Sequence, residues 1–145
     1  MSAYVYHSDR VVFDVPSGFV DRGVIALEWP SETASGGRVA LTLQREPSQG
    51  EKALEDVVRE NLKRMARALK GYKEKSVAAA EGDGVSAIRV AFEFRQETSL
   101  LVQYQLYVDA GDALLIFGVA ARAADRAQSE AVLDGVLNSL KLRER

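Results

Sequence analysis

A chain of 145 residues, 47% hydrophobic and 28% charged, is long enough to bury a core as one domain and lies far from the composition of disordered chains. Nineteen Lys and Arg are spread among 21 Asp and Glu for a net charge of -2, which argues against nucleic acid as a partner, since such a surface needs a local cation excess to displace condensed counterions. The absence of cysteine excludes disulfides, thiolate nucleophiles, Cys-ligated zinc and a lipidated cysteine.

The segment Met1 to His7 lacks the basic start and unbroken apolar run of a signal peptide. The longest apolar stretch, Ala113 to Ala121, falls well short of the roughly 20 residues that span a bilayer. Neither export nor stable membrane insertion is expected.

Short extended runs come first: Tyr4 to His7, Val11 to Val15, a Pro16-Ser17-Gly18 turn, Val24 to Trp29 and Arg38 to Arg45. Each alternates or is rich in β-branched residues. The Ser31 to Gly37 stretch, rich in Ser and Gly, reads as a mobile loop within the domain because apolar alternation resumes directly after it. A helix is predicted from Glu51 to Lys70, with Ser48 and Glu51 at capping-box spacing, acids early, bases late and Gly71 as its stop. Its apolar stripe is Leu54, Val58, Leu62, Met65 and Leu69, with Asn61 at the margin. An amide there must find a partner if it is buried, either at the edge of the sheet or on a guest.

The second half reads as an antiparallel meander over Lys73 to Ala80, Val85 to Arg95, Leu100 to Asp109 and Ala113 to Ala121, with tight turns at Gly82-Asp83-Gly84 and Ala110-Gly111-Asp112. A final helix is predicted from Ala124 to Leu140, with Ala127, Ala131, Val136, Leu137 and Leu140 at helical spacing. Gly135 inside it costs about 1 kcal/mol against Ala. Strands, helix, strands and helix without regular βα alternation predict an α+β fold, an antiparallel sheet with two main helices.

Period two then sorts side chains onto two faces. The expected core set joins Ile25, Leu27 and Trp29 to Val39, Leu41 and Leu43, to Ile88, Val90, Phe92 and Phe94, and to Val102, Tyr104, Leu106 and Val108. The opposite face carries Val24, Ala26 and Glu28; Ala40, Thr42 and Gln44; Ala87, Arg89, Ala91 and Glu93; and Leu101, Gln103, Gln105 and Tyr107. That face mixes small aliphatic residues with amides, a surface able to cradle an apolar ligand and offer it hydrogen bonds. On alternation alone, the ordinary reading of half-exposed surface residues is favoured.

Catalytic constellations are missing from the sequence. His7 is the only histidine, which rules out two-histidine metal motifs and leaves no relay partner. No pair of carboxylates stands in an apolar context able to drive two pKa values apart, and Glu93 beside Arg89 or Arg95 reads as a surface ion pair. Gly82-Asp83-Gly84 is a turn, since it lacks phosphate-loop spacing and opens no helix. Binding is expected rather than catalysis, with no cofactor and no metal.

The run Val12 to Arg22, in which a strand ends at Pro16 and is followed by Phe19 and Asp21, resembles the opening of the DcrB-like family. Ser48-Gln49-Gly50 before the helix, Leu69-Lys70-Gly71-Tyr72 after it, and the strand with Gln103 and Gln105 look like the Eag branch of that family. The resemblance covers nearly the whole chain and rests on the order of loose motifs. It implies a PsbP/Mog-type αβα sandwich. It also implies a cytoplasmic, homodimeric chaperone that shields the hydrophobic N-terminal transmembrane helices of a type VI secretion effector before export.

In that branch the grip falls on two alternating positions after the opening, here Val24 and Ala26. A helix stripe falls on Asn61, Met65 and Leu69, and a leucine and a glutamine on the later strand fall on Leu101 and Gln105. Together with Gln103, whose amide would bond the guest's polar groups, these residues form the candidate effector-binding site. Family members typically carry a bulky aliphatic at Ala26, a glutamine at Asn61 and a small residue at Met65, so the pocket is expected to be reshaped for a different helix. The alternative is a DcrB-like protein- or small-ligand-binding module without a secretion role.

Overall fold

The computed structural model describes residues 2–6, 11–15, 24–30, 38–48, 50–82, 85–111 and 113–139. His7, the Pro16 to Gly18 turn, the Ser31 to Gly37 loop, Asp83-Gly84 and Leu140 lie outside them. Strand β1 (Ser2–Tyr6) pairs with β2 (Val11–Val15) as a separate antiparallel hairpin. The strands β3 (Val24–Pro30), β4 (Arg38–Pro47), β5 (Lys73–Gly82), β6 (Val85–Gln96), β7 (Ser99–Asp109) and β8 (Ala113–Arg122) form one sheet in the order β3-β4-β8-β7-β6-β5. Every described pairing is antiparallel.

Helix α1 (Leu54–Ala68) carries the chain from β4 to the far edge at β5, and the meander then walks back until β8 closes on β4. Helix α2 (Arg126–Ser139) follows a 3-10 turn at Ala123–Asp125. The two helices pack on opposite faces. Val57, Val58 and Leu62 of α1 join Ile88, Val90, Phe92, Tyr107 and Leu114 in one cluster, with Leu54, Met65 and Leu69 packed against it. Leu133 of α2 joins Val39, Val102, Tyr104, Leu106, Val108 and Val119 in the other, backed by Val132, Val136 and Leu137. The α+β sandwich predicted from the sequence is therefore present.

The sheet departs from expectation at β6. Register sets Ile88 opposite Tyr107, Val90 opposite Gln105 and Phe92 opposite Gln103. The bulky residues of β6 thus share a face with the amides of β7, while Ala87, Arg89, Ala91 and Glu93 lie on the side of Tyr104 and Leu106. A one-residue slip inverts a strand's faces, and β6 has apolar residues at both parities, so its own alternation could not tell which set faces which neighbour. Other strands keep their expected grouping: Ile25, Leu27 and Trp29 are in register with Leu43, Leu41 and Val39.

Glu93 binds Lys75 at 3.0 Å and Arg126 at 3.2 Å, whereas Arg89 binds Asp134 of α2. The ion pair expected along β6 is replaced by ties from β6 to its neighbours, because Glu93 and Arg89 face α2.

Both helices also differ in detail. The N-cap of α1 is Ala53, in extended conformation and without a side-chain cap. Ser48 Oγ instead accepts a hydrogen bond from the Gly50 N–H at 3.3 Å, stabilising a turn ahead of the helix, which is how serine competes with helix capping. At the far end the Leu69 N–H donates to the Met65 carbonyl at 2.8 Å. Gly71 follows at φ +67°, in the region that favours glycine. In α2, Ala127 and Ala131 are exposed, while Gln128, Ser129, Val132 and Leu133 turn inward.

Candidate functional site

On the α1 side of the sheet, register aligns Val90, Gln105, Gly118, Thr42 and Ala26 in one row across five strands. The next row runs Phe92, Gln103, Ala120, Ala40 and Glu28; the row on the other side runs Ile88, Tyr107, Ile116, Gln44 and Val24. Helix α1 packs on β6 and β7. Beyond it Thr42 and Gln44 are exposed, and Ala40, Gln103 and Ala120 are half-buried. A floor of small residues and amides thus continues out from under the helix.

Gly118 lies at the centre of that floor. A Cβ there would stand 3.0 Å from Thr42 Oγ1 and 3.6 Å from Gln103 Nε2, so the hydroxyl and the amide flank the spot a side chain would need. The Thr42 hydroxyl points at the Gly118 carbonyl at 3.5 Å.

A cavity of about 420 Å³ opens between α1 and the sheet. Val57, Met65, Leu114 and Ile116 supply apolar wall, Asn61, Gln105 and Tyr107 supply hydrogen-bonding groups, and Gln44, Glu46, Glu60 and Arg64 also line it. Its polar groups are linked. Arg64 donates to the Asn61 carbonyl oxygen, and the Tyr107 hydroxyl donates to Gln105 Oε1 at 2.7 Å. Burial raises the Tyr107 hydroxyl above its ordinary pKa, and the Asn61 amide opposes the rise. Such pairing satisfies buried polar groups that would otherwise be costly.

The carboxylates are tied as well. Glu46 accepts from Gln44 Nε2 at 2.6 Å. Lys52 binds Glu60 and holds its carboxyl below the ordinary carboxylate value. A groove of aliphatic wall, small floor and amide groups is suited to holding an apolar body that carries a few polar groups.

Three of the residues expected from sequence, Asn61, Met65 and Gln105, line this one cavity. Leu69 caps α1 and packs against the cluster beneath it. Gln103 lies one row away, and Leu101 stands in register with Phe94 and Arg122, outside the cavity lining. Val24 and Ala26 are positioned by register opposite Gln44 and Thr42. The sequence reading did not single out Arg64, Ile116 or Gly118. Only the register of β8 between β4 and β7 brings the last two into the site.

Amide-bearing strand, apolar helix stripe and antiparallel sandwich occur together in this chain, and the DcrB family model matches residues 12–139. The chain belongs to the DcrB family. PA94 from Pseudomonas aeruginosa, a protein of unknown function and candidate regulator, has a similar solved structure: TM-score 0.81 at 19% identity, covering 99% of each chain. LpqN of Mycobacterium tuberculosis, involved in cell envelope biogenesis, superposes with a TM-score of 0.53 at 14% identity over 77% of this chain and 65% of its own. At these identities the likeness is one of fold. No curated protein matches the chain.

Among the described residues of this DcrB-family domain, no group of three or more His, Asp or Glu side chains is placed to hold a metal. No helix among them is long and apolar enough to cross a membrane.

Proposed function

We propose that this DcrB-family protein is a non-catalytic chaperone of the Eag type. It holds the N-terminal transmembrane helices of a type VI secretion effector before export, acting as a cytoplasmic homodimer. The observation that carries the proposal is the row Gln105, Gly118, Thr42 and Ala26, with its neighbour Gln103, Ala120 and Ala40. Helices in lipid associate through close approach at small residues and through side-chain hydrogen bonds. A sheet floor of Gly and Ala flanked by amides offers a guest helix both. Phe94, Ile116 and Met65, all half-buried, add apolar wall at the margin.

The cavity of about 420 Å³ favours a second reading, a small-ligand-binding module, because it is of the size that such ligands fill. Leu101→Asp separates the two. Leu101 is half-buried and lies outside the cavity, so a charge there would meet a guest helix but not a small ligand. Co-purification with the N-terminal helices of the effector encoded beside the gene is expected to be lost, with the melting temperature nearly unchanged. Retained co-purification sinks the helix-holding reading, and a collapse in stability shows that Leu101 serves the core.

A further inference from the structure

We propose that Tyr107 is a positioning residue that gives the cavity beside α1 a hydrogen-bonding polarity: it holds the oxygen of Gln105, leaves the amide nitrogen to the cavity, and thereby selects a guest presenting an uncharged carbonyl oxygen. The inference rests on the reading of this cavity as the place where a guest is held, and it names the chemical group that the cavity takes.

The polarity begins at the rim. Arg64 is exposed, and a guanidinium has donors but no acceptor. It takes the side-chain oxygen of Asn61, which leaves the Asn61 nitrogen for a neighbour. Burial raises the Tyr107 hydroxyl above its ordinary pKa and the Asn61 amide opposes the rise, as a donor beside the hydroxyl oxygen does. The Tyr107 proton then goes onward, to Gln105 Oε1 at 2.7 Å. The reverse order would set the Asn61 nitrogen against Arg64, donor against donor.

Gln105 is the inner end of this order. It lines the cavity and is 4% exposed, and among the described residues its Nε2 donates to no partner. A primary amide carries two N–H donors, and leaving a buried donor unmet is costly. An acceptor brought by the guest meets it. Val57, Met65, Leu114 and Ile116 wall the same cavity, an apolar setting that penalises a charged group. The carboxylates of Glu46 and Glu60, also in the lining, disfavour an anionic acceptor further. A carbonyl on an apolar body is the acceptor that this setting admits.

The test uses the full chain and three probes of one bicyclic shape: indanone, which accepts through its carbonyl, indole, which donates through its N–H, and indane, which has neither group. Each is titrated into the nitrogen-labelled protein and followed by NMR at the Gln105 side-chain amide. Indanone is expected to bind roughly fivefold more tightly than indole, the worth of one neutral hydrogen bond, and to move the Gln105 amide protons downfield. In Tyr107→Phe the amide is free to turn, so the ratio of the two affinities should fall to about one while indane binds as before. An equal loss of all three probes in Tyr107→Phe, which a merely structural role produces, overturns the proposal, as does a preference for indole in the parent. Equal binding of indanone and indole by a parent that still co-purifies with the effector's N-terminal helices removes the polarity and leaves the holding role. No saturable binding of any probe, together with no co-purification, removes both.

Discussion

Gln105 is only 4% exposed and its side-chain oxygen accepts from Tyr107, itself fully buried. The amide therefore serves the fold before it can serve a guest. Truncating it leaves the Tyr107 hydroxyl without that acceptor, a loss that costs about 1–3 kcal/mol for a buried group. Gln105→Ala should lower the urea midpoint accordingly, and adding Tyr107→Phe should recover a large part of the loss. Strictly additive losses in the double variant would show that the two side chains are not coupled. Tyr72 offers a contrast: among the described residues its hydroxyl is buried without a hydrogen-bond partner, while its ring centroid lies 5.2 Å from that of Phe92.

At the scale of the element, α1 is held by its face rather than its ends. Val58 is fully buried and Leu62 nearly so, each contributing about 1.5–3 kcal/mol by leaving water, whereas the N-cap Ala53 contributes no side-chain bond. Its φ of -62° and ψ of 141° already have the extended conformation of a capping residue. Ala53→Ser should stabilise the protein by about 1 kcal/mol, read as a higher denaturation midpoint at unchanged slope. No gain would mean that the helix start shifts on substitution. The capping-box spacing of Ser48 and Glu51 misplaced this start by three residues, since Ser48 is engaged by Gly50 and the helix begins at Leu54.

For the whole molecule, the sheet between two helices buries tyrosines on both faces, and this sets the response to alkali. Tyr104 is raised well above its ordinary pKa, chiefly by burial and then by its hydrogen bond to Glu130, to which it donates at 2.8 Å. Burial also raises Tyr72 and Tyr107. A group raised in the folded state favours folding fully below its unfolded value, and that contribution is lost as pH rises through the folded value. Stability should therefore hold up to about pH 10, the unfolded tyrosine value, and fall above it. Tyr104→Phe should flatten the fall. A melting temperature equally steep in pH for the variant and the parent would remove Tyr104 as a cause.

The local pattern was enough to determine the elements and their kinds. Val11 to Val15, in the separate hairpin, was placed to the residue, the strands of the main sheet to within two residues at their ends, and the stripe from Leu54 to Leu69 marked the face that α1 buries. These follow from periodicity, which needs only near neighbours in the chain. Which side of β6 meets which side of β7 was decided only in three dimensions. Ile88, Val90, Phe92 and Phe94 went under α1, Arg89 and Glu93 went to α2, and Gln105 was largely buried with its oxygen accepting from Tyr107. Alternation divides each strand into two sets of side chains but carries no information on how one strand's sets align with the next. That alignment is fixed by pairing register, and register is chosen by contacts between residues distant in sequence.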